Sequence, residues 1–106
     1  MPATLVPLQI ELSADVIQLA AKLGVTAYVP KVLEMTQSVF PNAQVEVEAY
    51  QDHELSDEWW IVVAVRHAIE DPHELVNVTC EWHRQLFDCC PAHLSRAFSI
   101  ETSFRP

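Results

Sequence analysis

Positive charge is scarce in this sequence. Six lysines and arginines stand against fifteen aspartates and glutamates, the formal net charge is -9, and the basic residues are scattered along the chain. Proteins bind the phosphates of nucleic acids mainly through clustered lysines and arginines. The composition therefore argues against direct nucleic-acid binding, and the negative charge favours a basic partner protein.

Long apolar runs are also missing. The longest run covers seven residues, Trp59–Val65, whereas a membrane-spanning helix needs about 20. The N-terminus lacks the basic region, apolar segment and small-residue cleavage site of a secretory signal. We therefore predict a cytoplasmic protein that makes no membrane contact and folds as one α+β domain over residues 1–106.

Cysteine is too sparse to support a disulfide framework. The three cysteines are odd in number, Cys89 and Cys90 are adjacent, and no export signal is present. Cys80 with His83 and Cys90 with His93 have a Cys-x2-His spacing that superficially resembles a zinc motif. On one continuous helix, however, Cys80 and Cys90 would lie ~15 Å apart. Ligands of one zinc ion must meet within a few ångströms, so we predict reduced thiols and no zinc site.

Glycine is almost absent, since Gly24 is the only one in the chain. The stretch from Glu46 to Glu58 contains six carboxylates and no lysine or arginine, which raises the possibility of a calcium loop. Such loops usually need a glycine for their sharp turn, and this stretch has none. We predict a solvated acidic hairpin there, and no metal or other cofactor.

The run Trp59–Val65 predicts the central strand of a sheet. It is rich in β-branched and aromatic residues, which favour strands. Successive side chains of a strand point to opposite faces. One face then carries Trp59, Ile61, Val63 and Val65, and the other carries Trp60, Val62 and Ala64. Both faces are apolar, so the strand needs a cover on each side, whereas one layer of helices supplies only one.

Around this strand, hydrophobic periodicity predicts the remaining elements. Ser13 and Gly24 have the residue types of a helix start and a helix end. Alternation predicts strands near residues 45–50 and 98–104, and an additional N-terminal strand within residues 5–12. A second helix follows Pro30 and stops at Pro41, and a third runs from Pro72 to about Phe87 behind a capping box at Asp71.

This order predicts an α+β fold. With the N-terminal strand included, it becomes β-α-β-β-α-β, the split βαβ or ferredoxin-like arrangement. The alternative is a related small antiparallel sheet with helices on one face. The third helix carries one stripe containing Trp82 and a second stripe of Val76, Cys80, His83 and Phe87. The second stripe requires a further contact, for which the N-terminal helices are favoured over another subunit.

Catalytic candidates are few. His67 lies at the end of the central strand and His73 at a helix start, which makes them candidates for an acid–base pair with Glu70 nearby. Pro2 would become an N-terminal secondary amine after removal of Met1. On Met1, Pro2 and the strand-then-helix order, the chain resembles the tautomerase family, whose N-terminal proline acts as a base. That family also binds acidic substrates through arginines or lysines, and here no basic residue precedes Lys22.

The preferred function is that of a small, acidic, non-enzymatic module that works by association. We expect it to form a homo-oligomer and to bind a partner protein or small ligand through the uncovered sheet face. The predicted interface consists of Trp60, Val62 and Ala64, with Tyr50 beside them. An enzyme using Pro2, or His67 with His73, is the alternative, and metal or redox binding through Cys89, Cys90 and His93 ranks last.

Overall fold

A computed structural model describes residues 12–51 and 58–105 of the chain. Within these residues, four helices and three strands form an α+β fold, which confirms the predicted class. The helices are α1 (Ala14–Leu23), α2 (Val29–Val39), α3 (Pro72–Cys89) and α4 (Ala92–Ser95), and the strands are β1 (Gln44–Gln51), β2 (Trp59–His67) and β3 (Phe98–Phe104). The N-terminal strand predicted within residues 5–12 falls outside the described residues except for Leu12, which is not in a strand.

Helix α1 begins and ends at the predicted residues. The Ser13 hydroxyl accepts the backbone N–H of Val16 at 3.2 Å, and Gly24 adopts a left-handed conformation with φ of +74°. The N–H of Val25 then bonds to the carbonyl of Ala20 at 2.9 Å, which closes the helix end. The chain turns there by 117° into the segment Thr26–Val39, a 3-10 turn (Thr26–Tyr28) followed by α2.

Helix α3 starts at Pro72, as predicted, with Asp71 as its N-cap but without the reciprocal capping box. The Asp71 carboxylate accepts the N–H of His73 at 2.9 Å, whereas a capping box uses the N–H one residue later, here that of Glu74. The helix continues to Cys89, two residues beyond the predicted end at Phe87. The N–H of Cys90 completes the last turn by donating to the carbonyl of Leu86 at 3.0 Å.

The three strands form one mixed sheet in the order β1-β2-β3. The predicted hairpin is confirmed, because β1 and β2 pair antiparallel from Gln44 opposite Arg66 to Gln51 opposite Trp59. Strand β3 runs parallel to β2, from Phe98 beside Ile61 to Phe104 beside His67. The prediction of an antiparallel sheet is therefore wrong.

The direct pairing of β2 with β3 explains this difference. A helix that returns the chain to the same end of the sheet makes the two strands it joins parallel. In a ferredoxin-like sheet the N-terminal strand lies between these two strands. Here β2 and β3 hydrogen-bond directly to each other over Ile61–His67 and Phe98–Phe104, which leaves no place for another strand between them. The described strands thus form a β-hairpin followed by a βαβ unit.

The main core lies between the helices and one face of the sheet. Ile61, Val63 and Val65 are almost completely buried there, as the alternation of the central strand predicts. Trp82 of α3 is fully buried, and its indole Nε1 donates to the Thr36 hydroxyl at 2.7 Å. Thr36 in turn donates to the carbonyl of Val32 at 2.7 Å. This hydrogen-bonded chain fixes α3 against α2 in an otherwise apolar core.

The two stripes of α3 have different environments. Trp82 and Leu86 of the first stripe are buried against α2 and the sheet, as predicted. In the second stripe, Val76 is 59% exposed and Phe87 is 60% exposed. The N-terminal helices therefore do not cover the second stripe, contrary to the favoured prediction. The width of the apolar surface on α3 is not explained by packing among the described residues.

Candidate functional site

The strongest candidate site is the face of the sheet that points away from the main core, hereafter the second face. Strand alternation and register decide which side chains it carries. They are Trp60, Val62, Ala64 and Arg66 on β2, Gln44, Glu46, Glu48 and Tyr50 on β1, and Ser99, Glu101 and Ser103 on β3. All residues of the predicted interface lie on this face.

An aromatic pair occupies one end of the second face. Tyr50 lies directly opposite Trp60 in the antiparallel register, and their ring centroids are 4.8 Å apart with an interplanar angle of 36°. Tyr50 is 50% exposed, whereas Trp60 is half-buried. Aromatic pairs of this type contribute about 0.5–1.5 kcal/mol beyond the burial of their area. The pair is thus held in place by the sheet while one ring presents its surface to solvent.

The middle of the second face is a narrow apolar strip along β2. Val62 is 7% exposed and Ala64 is half-buried, yet neither belongs to the main core cluster. The flanking strands β1 and β3 contribute polar and acidic side chains at the same level. The apolar strip is therefore only one strand wide.

Three glutamates border this strip. Glu48 pairs with Val62, Glu46 pairs with Ala64, and Glu101 pairs with Ala64 from the other side. Ala64 thus has a glutamate on each neighbouring strand. The spacing of adjacent strands places the backbones of Glu46 and Glu101 about 10 Å apart. Within residues 12–51 and 58–105, the one ion pair joins Arg84 to Glu81 on α3, so the three glutamates have no cationic partner there.

Two arginines lie at the opposite end of this sheet region. Arg66 is exposed and pairs with Gln44 on β1 and with Ser103 on β3. Arg105 follows β3 and its guanidinium donates to the side-chain oxygen of Gln44. The second face therefore has an arginine end, an acidic middle and an aromatic end. These three regions follow one another along the single strand β2.

A separate cavity of about 510 Å³ lies at the carboxyl end of β2. His67 lines it and is only 4% exposed, and its Nδ1 accepts the backbone N–H of Ile69 at 3.1 Å. This hydrogen bond assigns the ring proton to Nε2 in the neutral imidazole. Phe40, Ile69, Val78, Glu70 and Glu74 also line the cavity.

The two histidines of the predicted acid–base pair do not share this cavity. His73 is exposed in the first turn of α3 and is not among the residues that line the cavity around His67. Glu70 does line it, together with Asp71 and Glu74. The structure therefore gives His67 acidic neighbours at the cavity and leaves His73 apart from it.

The cysteines are free and unlike in their surroundings. Cys80 is exposed, Cys89 is partly buried and Cys90 is buried. Burial raises the pKa of the Cys89 thiol, and the carboxylate of Asp88 raises it further. Burial also raises the pKa of Cys90. A raised pKa means less thiolate near neutral pH, which is the reverse of what a nucleophilic or metal-binding cysteine requires.

The remaining predicted sites are the metal-binding candidates, Pro2 and the acidic hairpin. In the part of the chain that the structure describes, no three histidine, cysteine, aspartate or glutamate side chains are grouped in a way that suits a metal ion. Pro2 and residues 52–57 of the acidic hairpin fall outside the described residues. The tautomerase-like mechanism and the acidic loop therefore stay predictions.

Glu101 is the site residue that the sequence alone does not reveal. Alternation within Phe98–Phe104 places Glu101 on the face opposite Ile100. It does not indicate which strand lies beside Glu101. Only the parallel pairing of β3 with β2 brings Glu101 next to Ala64 and across from Glu46. Knowledge of strand direction would therefore have been needed to predict the acidic border.

Comparison with protein-family models, curated proteins and solved structures finds no match to this chain. Among the described residues, no single helix has the length and apolar character to cross a bilayer. One bent pair, Ala14–Leu23 with Thr26–Val39, passes that test on length and composition.

Proposed function

We propose that the protein is a non-enzymatic association module and that the second face is its contact surface. One observation carries the proposal: the pair of Tyr50 and Trp60, with one ring half-exposed, continues along β2 into buried Val62 and half-buried Ala64. Aromatic residues that are fixed in place and partly exposed are the commonest anchors of protein interfaces. A sheet face with such anchors suits binding to another molecule.

Both forms of association expected from the sequence, a homo-oligomer and a different partner protein, belong to this proposal. Cytoplasmic location is likewise still a prediction, which cell fractionation tests.

Association as such is tested by placing a photoreactive phenylalanine analogue at Tyr50 and, as a control, at Phe104. Phe104 is equally exposed at 50% but its side chain points to the helix side of the sheet.

Cross-linking at position 50 and not at position 104, to another copy or to a different protein, is the expected result. Labelling in cells must be compared with labelling of the purified chain, so that self-association and a heterologous contact are told apart. Equal labelling at both positions, or none at position 50, would contradict the proposal.

The cavity around His67 supports a second candidate function, binding of a small ligand. Its volume of about 510 Å³ lies within the usual range for ligand sites, and it combines apolar walls with a buried histidine. A fragment screen by NMR tests this idea through the amide signals of Ile69 and Glu70. If no fragment shifts these signals in preference to those of the second face, the cavity is a packing feature only.

A further inference from the structure

We infer that the occupant of the second face is a lysine- or arginine-rich segment of another protein, rather than a second copy of this chain. This inference rests on the proposed function, since it names the partner for the same surface. It is carried by the arrangement of Glu46, Glu48 and Glu101 around the apolar strip. The net charge of -9 gives the whole chain a preference for a basic partner.

The charges on the second face disfavour a face-to-face dimer. Each copy would contribute three carboxylates from the middle of the face, whereas Arg66 and Arg105 lie at one end of it. Because the glutamates lie centrally, they would meet their own copies in either relative direction of the strands. Like charges brought together in a desolvated interface oppose association, and buried charges without partners are strongly unfavourable.

A basic segment supplies partners of opposite charge to the glutamates of the second face. An arginine or lysine placed over the small side chain of Ala64 lies between Glu46 on one strand and Glu101 on the other. Two glutamates whose backbones lie about 10 Å apart can both reach a guanidinium held midway between them. Ala64 is half-buried and carries only a methyl group, so its own side chain fills little of the space between the two glutamates.

The aromatic end adds a second contact. Trp60 precedes Ala64 by four residues on the same strand, which corresponds to about 13 Å. The exposed ring of Tyr50 beside Trp60 suits either the stem of a basic side chain or a cation over its face. A partner in extended conformation would therefore place a basic residue over Ala64 and a basic or apolar residue four positions away over Tyr50.

The test uses the full-length protein and two synthetic peptides of alternating arginine and valine, identical except that citrulline replaces arginine in the second. Citrulline has nearly the shape of arginine but no charge. Binding is measured by calorimetry, and the contact surface by the NMR signals of the Trp60 indole and the backbone of Ala64. Light scattering on the same samples reports self-association.

Charge variants locate the interaction. E46Q/E101Q removes two carboxylates from the second face, and the control E34Q/D88N removes two from exposed positions on α2 and α3. We expect the arginine peptide to bind about tenfold more weakly to E46Q/E101Q, and the control to change its affinity by less than about threefold. Added salt should weaken binding to the wild type more than to E46Q/E101Q.

The Tyr50→Ala variant separates failure of this inference from failure of the proposed function. If the citrulline peptide binds as well as the arginine peptide and Tyr50→Ala weakens both, the surface is right and the cationic partner is wrong. A wild-type dimer that Tyr50→Ala dissociates would lead to the same conclusion, namely that the surface is right and the cationic partner is wrong. Nuclear Overhauser contacts from residues 1–11 to Trp60 would make this chain's own segment the occupant and overturn the inference.

Two results would overturn both proposals. One is binding of the arginine peptide that neither Tyr50→Ala nor E46Q/E101Q changes, because the peptide would then follow net charge alone. The other is a monomer that binds neither peptide. Selective loss of the arginine peptide in E46Q/E101Q, with shifts at Trp60 and Ala64, supports them together.

Discussion

The hydrogen bond between Trp82 and Thr36 allows a quantitative test of the core. Both side chains are fully buried, and Thr36 supplies the hydroxyl that accepts the indole N–H at 2.7 Å. Thr36→Val keeps the branched shape of the side chain but leaves that N–H without its acceptor. A buried donor without a partner costs about 1–3 kcal/mol. We expect the free energy of unfolding to fall by this amount.

The same substitution in a Trp82→Phe background should behave differently. Phenylalanine has no N–H group, so replacing Thr36 by valine then leaves no donor without a partner. Thr36→Val should change stability by only about 0.5 kcal/mol there, because apolar groups replace both partners. The double variant should be more stable than the sum of the single effects predicts, by about 1–2 kcal/mol.

Urea denaturation followed by far-ultraviolet circular dichroism measures all four proteins without relying on tryptophan fluorescence. The wild type must have enough stability for the losses to be resolved, and a typical domain has about 5–15 kcal/mol. Additive effects within about 0.3 kcal/mol would show that the 2.7 Å contact contributes no coupling, and the reasoning about this hydrogen bond would be refuted.

Other predictions follow from single residues. Trp82→Ala should destabilise the fold by about 3–5 kcal/mol, because Trp82 is fully buried. Trp60→Ala, on the second face, should impair association more than folding. Denaturation measures the stability of both variants, and light scattering measures their association. Gly24→Ala should lower stability by about 1–2 kcal/mol in a thermal melt, because φ is +74° although the added Cβ would meet no atom within 4 Å. Iodoacetamide should modify exposed Cys80 before buried Cys90. Modification of Cys90 should accelerate only at alkaline pH, because burial raises the pKa of its thiol. Peptide mass spectrometry measures both rates.

Local features of the fold were predictable because their causes are local. Ser13 and Gly24 bound α1, since a hydroxyl at the start and a residue tolerant of positive φ at the end satisfy the helix's own backbone groups. Alternation gives the span of β3, Phe98–Phe104, correctly. It also assigns Ile61 and Trp60 to opposite faces, because side-chain direction depends only on the parity of position along the strand.

Pairing direction was not predictable in the same way. The pattern of Phe98, Ile100 and Thr102 is identical for a parallel and an antiparallel neighbour, and a proposed N-terminal strand supplied a competing partner for β2. The direct pairing of β2 with β3 decides the question through long-range contacts. The candidate site depends on the same contacts, because Glu101 and Glu46 are 55 positions apart in sequence (101 minus 46) and flank one residue, Ala64, only in the folded sheet.

The position of β2 between its two neighbours decides when its edges are protected during synthesis. Its first partner, β1, is made before it, but its second partner begins only at Phe98, after the whole of α3. Until then, one edge of the most apolar strand has backbone groups without a strand partner, and such edges promote aggregation. The residues up to Phe104 must leave the ribosome before this edge is protected, so β3 closes the described sheet.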